Sequence, residues 1–333
     1  MPGQAERSNG AAWPGRPSLA AARETALLAA AALGLFLAPR AVPILGHLAM
    51  VTGCPVAIAL ARARRGPWSA LACVAGVAAA AVGLLGGRPV DVGQAVELSV
   101  AGWALGEGLA RRWRLERTIL VGAAGLLLGS AMALLIAAGG LGLSGAGGLA
   151  GQAEAAFQET LRLYRGLGVG EESARGLAES WERLRRALGL ILPALLVAGS
   201  LLNTVVNYLL ARAAGAGDGQ GAPPVAEAVG SFRLPEALVW VFIGAAALYL
   251  AGGGLVRAAG LNLLVAMATL YFLQGISITA FLLRRFGLPR ALAALTFLLI
   301  LVQPMLALLV AGVGLFDIWV SFRRVGSPSS SGA

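Results

Sequence analysis

Few side chains in this sequence could do chemistry, and most of those lie inside long apolar stretches. Glu97 sits within the apolar run Val92–Ala110, with Gln94 before it and Glu107 near its end. Ser200, Asn203 and Asn207 fall at i, i+3 and i+7 in Ala187–Ala211, so they share one helical face. Asn262 and Gln274 lie in Ala258–Leu283, and Asp317 closes the last apolar run. A polar side chain in hydrocarbon costs free energy, so each must face protein, water or an interface. A carboxylate and several amides among apolar walls are the parts of a small-molecule pocket, where a few polar groups orient a ligand. Glu97, Asn203, Asn207, Asn262 and Gln274 are therefore the candidate binding residues. The same amides would also serve as interhelical hydrogen bonds, worth about 0.6 kcal/mol each on average. Glu97 could equally snorkel or make one hydrogen-bonded pair. Glu107 lies four residues before Arg111 and reads as a solvated ion pair, and Asp317 reads as an interfacial acid beside Arg324.

The minimum parts of an intramembrane enzyme are missing from the sequence. It has no HExxH for a metalloprotease and no GxSxG nucleophile turn, and its single histidine, His47, would be the only histidine available as a base. Glu171-Glu172 followed by Arg175 approaches a prenyl-protease pattern, but with the spacing one short and outside a transmembrane run. There is no phosphate-binding GxxxxGK[ST], and no lysine anywhere to supply one. Cys54 and Cys73 stand alone in apolar runs and read as small apolar fillers, without metal-ligand spacing. The expectation is a protein that is not an enzyme, with no cofactor and no metal.

The elements that must position these residues are membrane helices. Hydrophobic residues make up 58% of the chain and charged residues 13%, about half the charged share of soluble domains. The net charge of +10 comes from arginine alone. A basic chain can bind nucleic acid, but these arginines sit at the ends of apolar runs, the pattern that orients a membrane protein. The lipid bilayer is the expected partner, and nucleic acid is not.

In chain order, residues 1–17 are rich in Gly, Pro and charge and read as a disordered tail. Residues 18–143 hold about five spans: Leu19–Ala38, Ala41–Ala61 with Pro43 and Pro55, Gly66–Gly87, Val92–Ala110 and Ile119–Leu143. Gly102/Gly106 and Gly125/Gly129 are GxxxG pairs, which let helices approach closely. Ala22, Ala26, Ala30, Gly34 and Ala38 form a stripe of small residues along the first span. Residues 144–186 differ, with six glutamates and six arginines and no long apolar run. Phe157, Leu161 and Tyr164 share one face, and Ala174, Leu177, Trp181, Leu184 and Leu188 another, with glycines between. This predicts an amphipathic helical hairpin, ordered and packed on the bundle. Residues 187–324 hold three to four more spans, ending with Ala291–Phe316, and 325–333 form a serine-rich disordered tail. The expected fold is all-α: a polytopic membrane helical bundle of eight or nine transmembrane helices plus the hairpin.

Arginine sets the orientation. With the N-terminus cytoplasmic, the short inside segments carry fifteen arginines and the outside ones five, the long charged segment left out. Nine spans put the C-terminus outside. If the segment broken by Pro43 and Pro55 or the one containing Pro304 fails to cross, eight spans leave both ends inside.

Several motifs of the C-terminal half resemble the YybS-like bacterial membrane proteins, domain-of-unknown-function family 2232. They are Pro193 and Asn207-Tyr208-Leu209-Leu210-Ala211-Arg212, then Arg233-Leu234-Pro235, Gly260-Leu261-Asn262, Tyr271-Phe272-Leu273-Gln274-Gly275, and Gly314-Leu315-Phe316-Asp317-Ile318-Trp319 with Phe322-Arg323. Asp317, Trp319 and Arg323 mark the closing motif. Where the family usually carries a second acidic residue, this chain has Ser321. The resemblance implies a multi-pass protein of the bacterial inner membrane with unestablished activity. The family's N-terminal half is in turn similar to the substrate-binding subunits of energy-coupling-factor vitamin transporters, in which a small-residue stripe on the first helix meets a coupling subunit. That likeness implies a transporter-like or small-molecule-binding subunit without its own ATPase. The alternative is a non-catalytic scaffold or assembly factor with protein partners.

Overall fold

The computed structural model describes residues 19–140, 146–166, 170–215, 230 and 232–320. The described residues form eleven α-helices and no strand. These are α1 Leu19–Ala41, α2 Pro43–Arg65, α3 Pro67–Ala79, α4 Pro89–Ala110, α5 Leu115–Gly140, α6 Ala146–Gly166, α7 Glu171–Ala213, α8 Leu238–Ala251, α9 Gly254–Arg285, α10 Arg290–Val302 and α11 Pro304–Val320. α3 runs on through a π turn, Ala80–Leu84. Proline starts α2, α3 and α4 at a position where its missing N–H costs nothing.

The protein is an all-α polytopic membrane protein. Six helices are long and apolar enough to cross a bilayer, or up to seven if α10 and α11 together count as one. Two segments expected to span fall short of that measure. α4 carries Asp91, Glu97 and Glu107, and α8 has only 14 residues, about 21 Å of helix against a hydrocarbon core of about 30 Å. The last expected span is not one rod. α10 and α11 meet at 104°. Gln303, placed before Pro304, is pushed into an extended conformation (φ −102°, ψ 106°), which ends α10 there.

Close packing relies on glycine. A Cβ at Gly102 or Gly106 of α4 would run into Pro55, Ile58, Ala59 and Arg62 of α2. One at Gly125 or Gly129 of α5 would run into Ala104 and the Glu97 backbone of α4. Both GxxxG pairs thus stack α2, α4 and α5 in series. In the C-terminal half, Gly275 of α9 and Gly314 of α11 let the two backbones meet at the Val310 and Tyr271 carbonyls.

The charged segment forms two helices broken near Gly170, as its glycines predict, but the second does not end at Arg186. α7 runs unbroken for 43 residues, of which Gly189–Ala213 is the membrane-crossing part. The preceding 18 residues (Glu171 to Leu188) extend about 27 Å beyond it. α6 rests on this extension, with the Phe157 and Trp181 rings stacked at 4.6 Å. Trp181 Nε1 donates to Glu154 at 2.9 Å. With Gln158 as its first donor and Trp181 as its second, Glu154 is held below the usual carboxylate range. Leu161 is buried, but Tyr164 and Leu184 are about half exposed, so the hairpin packs mainly on itself rather than across the bundle. The two expected tails, and the loop at 216–229, lie outside the described residues.

Candidate functional site

α4 is the helix around which the candidate site is built. Its glycines dock it on α2 and α5, and the face left between them carries Gln94, Glu97 and Leu98. α2 contributes Met50 and Val51, α5 contributes Leu126 and Ser130, and α7 contributes Leu195, Leu196, Gly199, Ser200 and Asn203. Together they line a pocket of about 320 Å³. The Ser130 hydroxyl donates to Glu97 Oε1 at 2.6 Å. Met50, Leu98, Leu126 and Ser200 are buried. Leu195, Leu196 and Gly199 are exposed, and a Cβ at Gly199 would meet open space, so the pocket opens along α7.

Of the five candidate binding residues, Glu97 and Asn203 meet in this pocket. The other three serve the backbone. Pro55 has no N–H, so the Val51 carbonyl of α2 loses its normal helical partner. The Asn207 amide nitrogen approaches that carbonyl at 3.5 Å, while Asn207 Oδ1 is buried without a partner. Asn262 enters the ladder of α7 beside Pro193. Its Oδ1 accepts from Ala194 N at 2.9 Å, and its Nδ2 donates to Leu190 O at 2.6 Å, the two groups an intact helix would pair with each other. It therefore bridges the helix where proline disturbs it.

Gln274 serves a non-helical segment, 232–235, in which Phe232 and Leu234 are buried while Arg233 and Pro235 are exposed. Leu234 N donates to Gln274 Oε1 at 3.0 Å, the Ser277 hydroxyl donates to Phe232 O at 3.4 Å, and Arg233 N donates to Glu116 Oε1 at 3.0 Å. Gln274 Nε2 in turn donates to Asp317 Oδ2 at 3.3 Å. Asp317 is 2% exposed, which corrects its reading as an interfacial acid. Glycine contacts bring α11 close enough to α9 to bury it. Tyr271 is buried beside this network with its hydroxyl unpartnered. Trp319 is exposed, and Arg323 and Arg324 lie outside the described residues.

Glu107 also differs from expectation. It bridges Arg111 and, across helices, Arg62 Nη2 at 2.6 Å, with both partners of the cross-helix pair less than a fifth exposed. The C-terminal ends of α2, α4 and α7 gather here with Arg62, Arg64, Arg65, Arg111 and Arg112. A cavity of about 490 Å³ opens among Arg64, Arg65, Arg112, Glu24 and Gly215. Glu24 of α1 pairs with both Arg64 and Arg65, so much of that charge is compensated internally.

Ser130 and Met50 were not singled out as binding residues by sequence. For Ser130 the signal was available: it follows Gly129, whose contact with α4 turns that part of α5 toward Glu97. Comparison with curated proteins and with solved structures gives no match. The family described as "Predicted membrane protein (DUF2232)" matches residues 30–318, which takes in α2 to α10, about half of α1 and most of α11. The chain belongs to that family.

Proposed function

We propose that this chain is a small-molecule-binding membrane subunit, transporter-like and non-catalytic, with the Glu97–Asn203 pocket as its binding site. The observation that carries the reading is that pocket: five polar side chains from α4, α5 and α7 converge among apolar walls. That is the composition of a ligand site, and an intramembrane carboxylate is a functional-site candidate by default. No ATP-binding motif is present, so energised transport would need partner subunits. The resemblance of the family's N-terminal half to substrate-binding subunits of energy-coupling-factor transporters points the same way, although no curated protein or solved structure of that kind matches the chain. The small-residue stripe also agrees: Ala22, Ala26, Ala30 and Gly34 of α1 are exposed, facing away from the bundle. The protein resides in a bacterial inner membrane with its arginine-rich helix ends in the cytoplasm, and α4, α8 and the α10–α11 pair complete eight or nine crossings. The test is a thermal-shift screen of vitamins and metabolites on the purified protein and on Gly199→Trp, which occupies the mouth without a backbone clash. A compound that stabilises the former and not the latter supports the pocket. No stabilising compound, or equal shifts in both, sinks it.

A second reading, a scaffold or assembly factor, is favoured by the α6–α7 extension, whose exposed Leu163, Tyr164 and Leu184 leave an apolar surface beyond the membrane. Co-purification in mild detergent separates the two. Stable protein partners together with no ligand response would select the scaffold.

A further inference from the structure

We infer that the pocket takes an organic monocation: a small primary amine whose ammonium pairs with Glu97 and whose hydrocarbon body lies against Met50, Val51, Leu126 and Leu195. The inference rests on the binding-pocket reading and specifies its ligand. Its basis is a charge census of the site. The lining holds one carboxylate and no arginine. Among the described residues, the side-chain partner of Glu97 is the Ser130 hydroxyl. The nearest arginines on its own helix and flank are Arg88 and Arg111, nine and fourteen residues away, about 13 and 21 Å along the axis. Both are already paired, Arg88 with Asp91 and Arg111 with Glu107. A half-buried carboxylate among apolar walls favours a cation beside it. Among the described residues no arginine lines the pocket, which leaves that role to the ligand.

The rest of the lining narrows the class. An anion would be repelled by Glu97, and a neutral ligand would leave the carboxylate unpaired. A metal ion needs several oxygen ligands, whereas seven of the twelve lining residues are Met, Val, Leu or Gly. An ammonium has three donors. Glu97 accepts one, and the Asn203 and Gln94 carbonyls and the Ser200 hydroxyl are the acceptors left for the others.

The experiment uses the full chain in nanodiscs of uncharged lipid and three probes of one shape: cyclohexylamine, cyclohexanol and cyclohexanecarboxylate. Thermal unfolding is followed for the wild type and Glu97→Gln. The amine is expected to reach a given shift at about one tenth the concentration of the alcohol, and the carboxylate to give the smallest shift. In Glu97→Gln the amine and alcohol should become equivalent. The wild-type comparison needs no variant, so it stands even where Glu97→Gln fails to fold. Equal potency of amine and alcohol in the wild type, an amine preference that survives Glu97→Gln, or the same shift from sodium chloride alone would each overturn the ligand class while leaving the pocket in place. No shift from any of the three, with Gly199→Trp and wild type indistinguishable, would overturn the pocket reading itself.

Discussion

Gly314→Ala tests whether the buried Gln274–Asp317 network depends on backbone contact between α9 and α11. The added Cβ would overlap the Tyr271 carbonyl and sit 2.8 Å from Gly275 N. Neither atom can swing away as a side chain would, so the helices must part. Overpacking of this kind costs about 1–3 kcal/mol. The Gln274–Asp317 bond is already 3.3 Å long, and separation removes it, adding about 0.6 kcal/mol. Against this, alanine is favoured over glycine inside a helix by about 1 kcal/mol. The net expectation is a loss of about 0.6–2.6 kcal/mol. Gly312 provides the control on the same helix: a Cβ there meets nothing within 4 Å, so Gly312→Ala should be neutral or stabilising. Reversible unfolding in detergent, monitored by fluorescence, gives both numbers. A Gly314→Ala protein as stable as Gly312→Ala would refute the claim that this contact is tight, and with it the account of why Asp317 is buried.

Two further predictions concern α2 and the hairpin. Asn207→Ala should cost stability in the wild type and less in a Pro55→Ala background, because alanine at 55 restores an N–H for the Val51 carbonyl. A double-mutant cycle should give a coupling of about 0.6 kcal/mol, and additive effects would show that Asn207 does not serve that carbonyl. A cysteine at the exposed Ser173 should react with a membrane-impermeant thiol reagent on intact inner membranes, while buried Cys54 and Cys73 stay unlabelled. Labelling of Ser173→Cys only after the membrane is broken would place the hairpin in the cytoplasm and overturn the topology from the fifth span onward.

The fold was legible where one cause dominates. Apolar runs ended by arginine locate the long helices, and the GxxxG pairs name the faces on which α4 and α5 pack. Legibility failed where two causes compete. Apolarity over Ala291–Phe316 favours one straight span, but Pro304 forces Gln303 out of helical geometry, and the steric term wins with a 104° break. At Arg186 the charge ends and the apolar run begins, a change of environment but not of conformation. The residues from Glu171 to Ala213 stay helical, with Asn262 bridging the ladder beside Pro193, so α7 crosses that boundary unbroken.

The candidate site was half legible for a related reason. A polar residue in an apolar run announces that it needs a partner, and sequence does not say whether that partner is a ligand or the protein's own backbone. Proline decides two of the cases. Pro55 and Pro193 each disturb a helix at a position reached by an amide from another helix, so Asn207 and Asn262 are consumed in repair. The third case is decided by Pro235, which cannot donate to a helical ladder, in the non-helical segment whose backbone occupies Gln274 and Ser277. Glu97 is met by the Ser130 hydroxyl and shares its pocket with Asn203. α2 presents Met50 and Val51 to the pocket, α5 is helical through Ser130, and α7 opens at Gly199. Asn207 Oδ1 and the Tyr271 hydroxyl are left unpaired singly. Between α2, α4, α5 and α7, by contrast, a carboxylate, two amides and two hydroxyls line one space, and polar groups gathered in that way are the ones placed to hold something else.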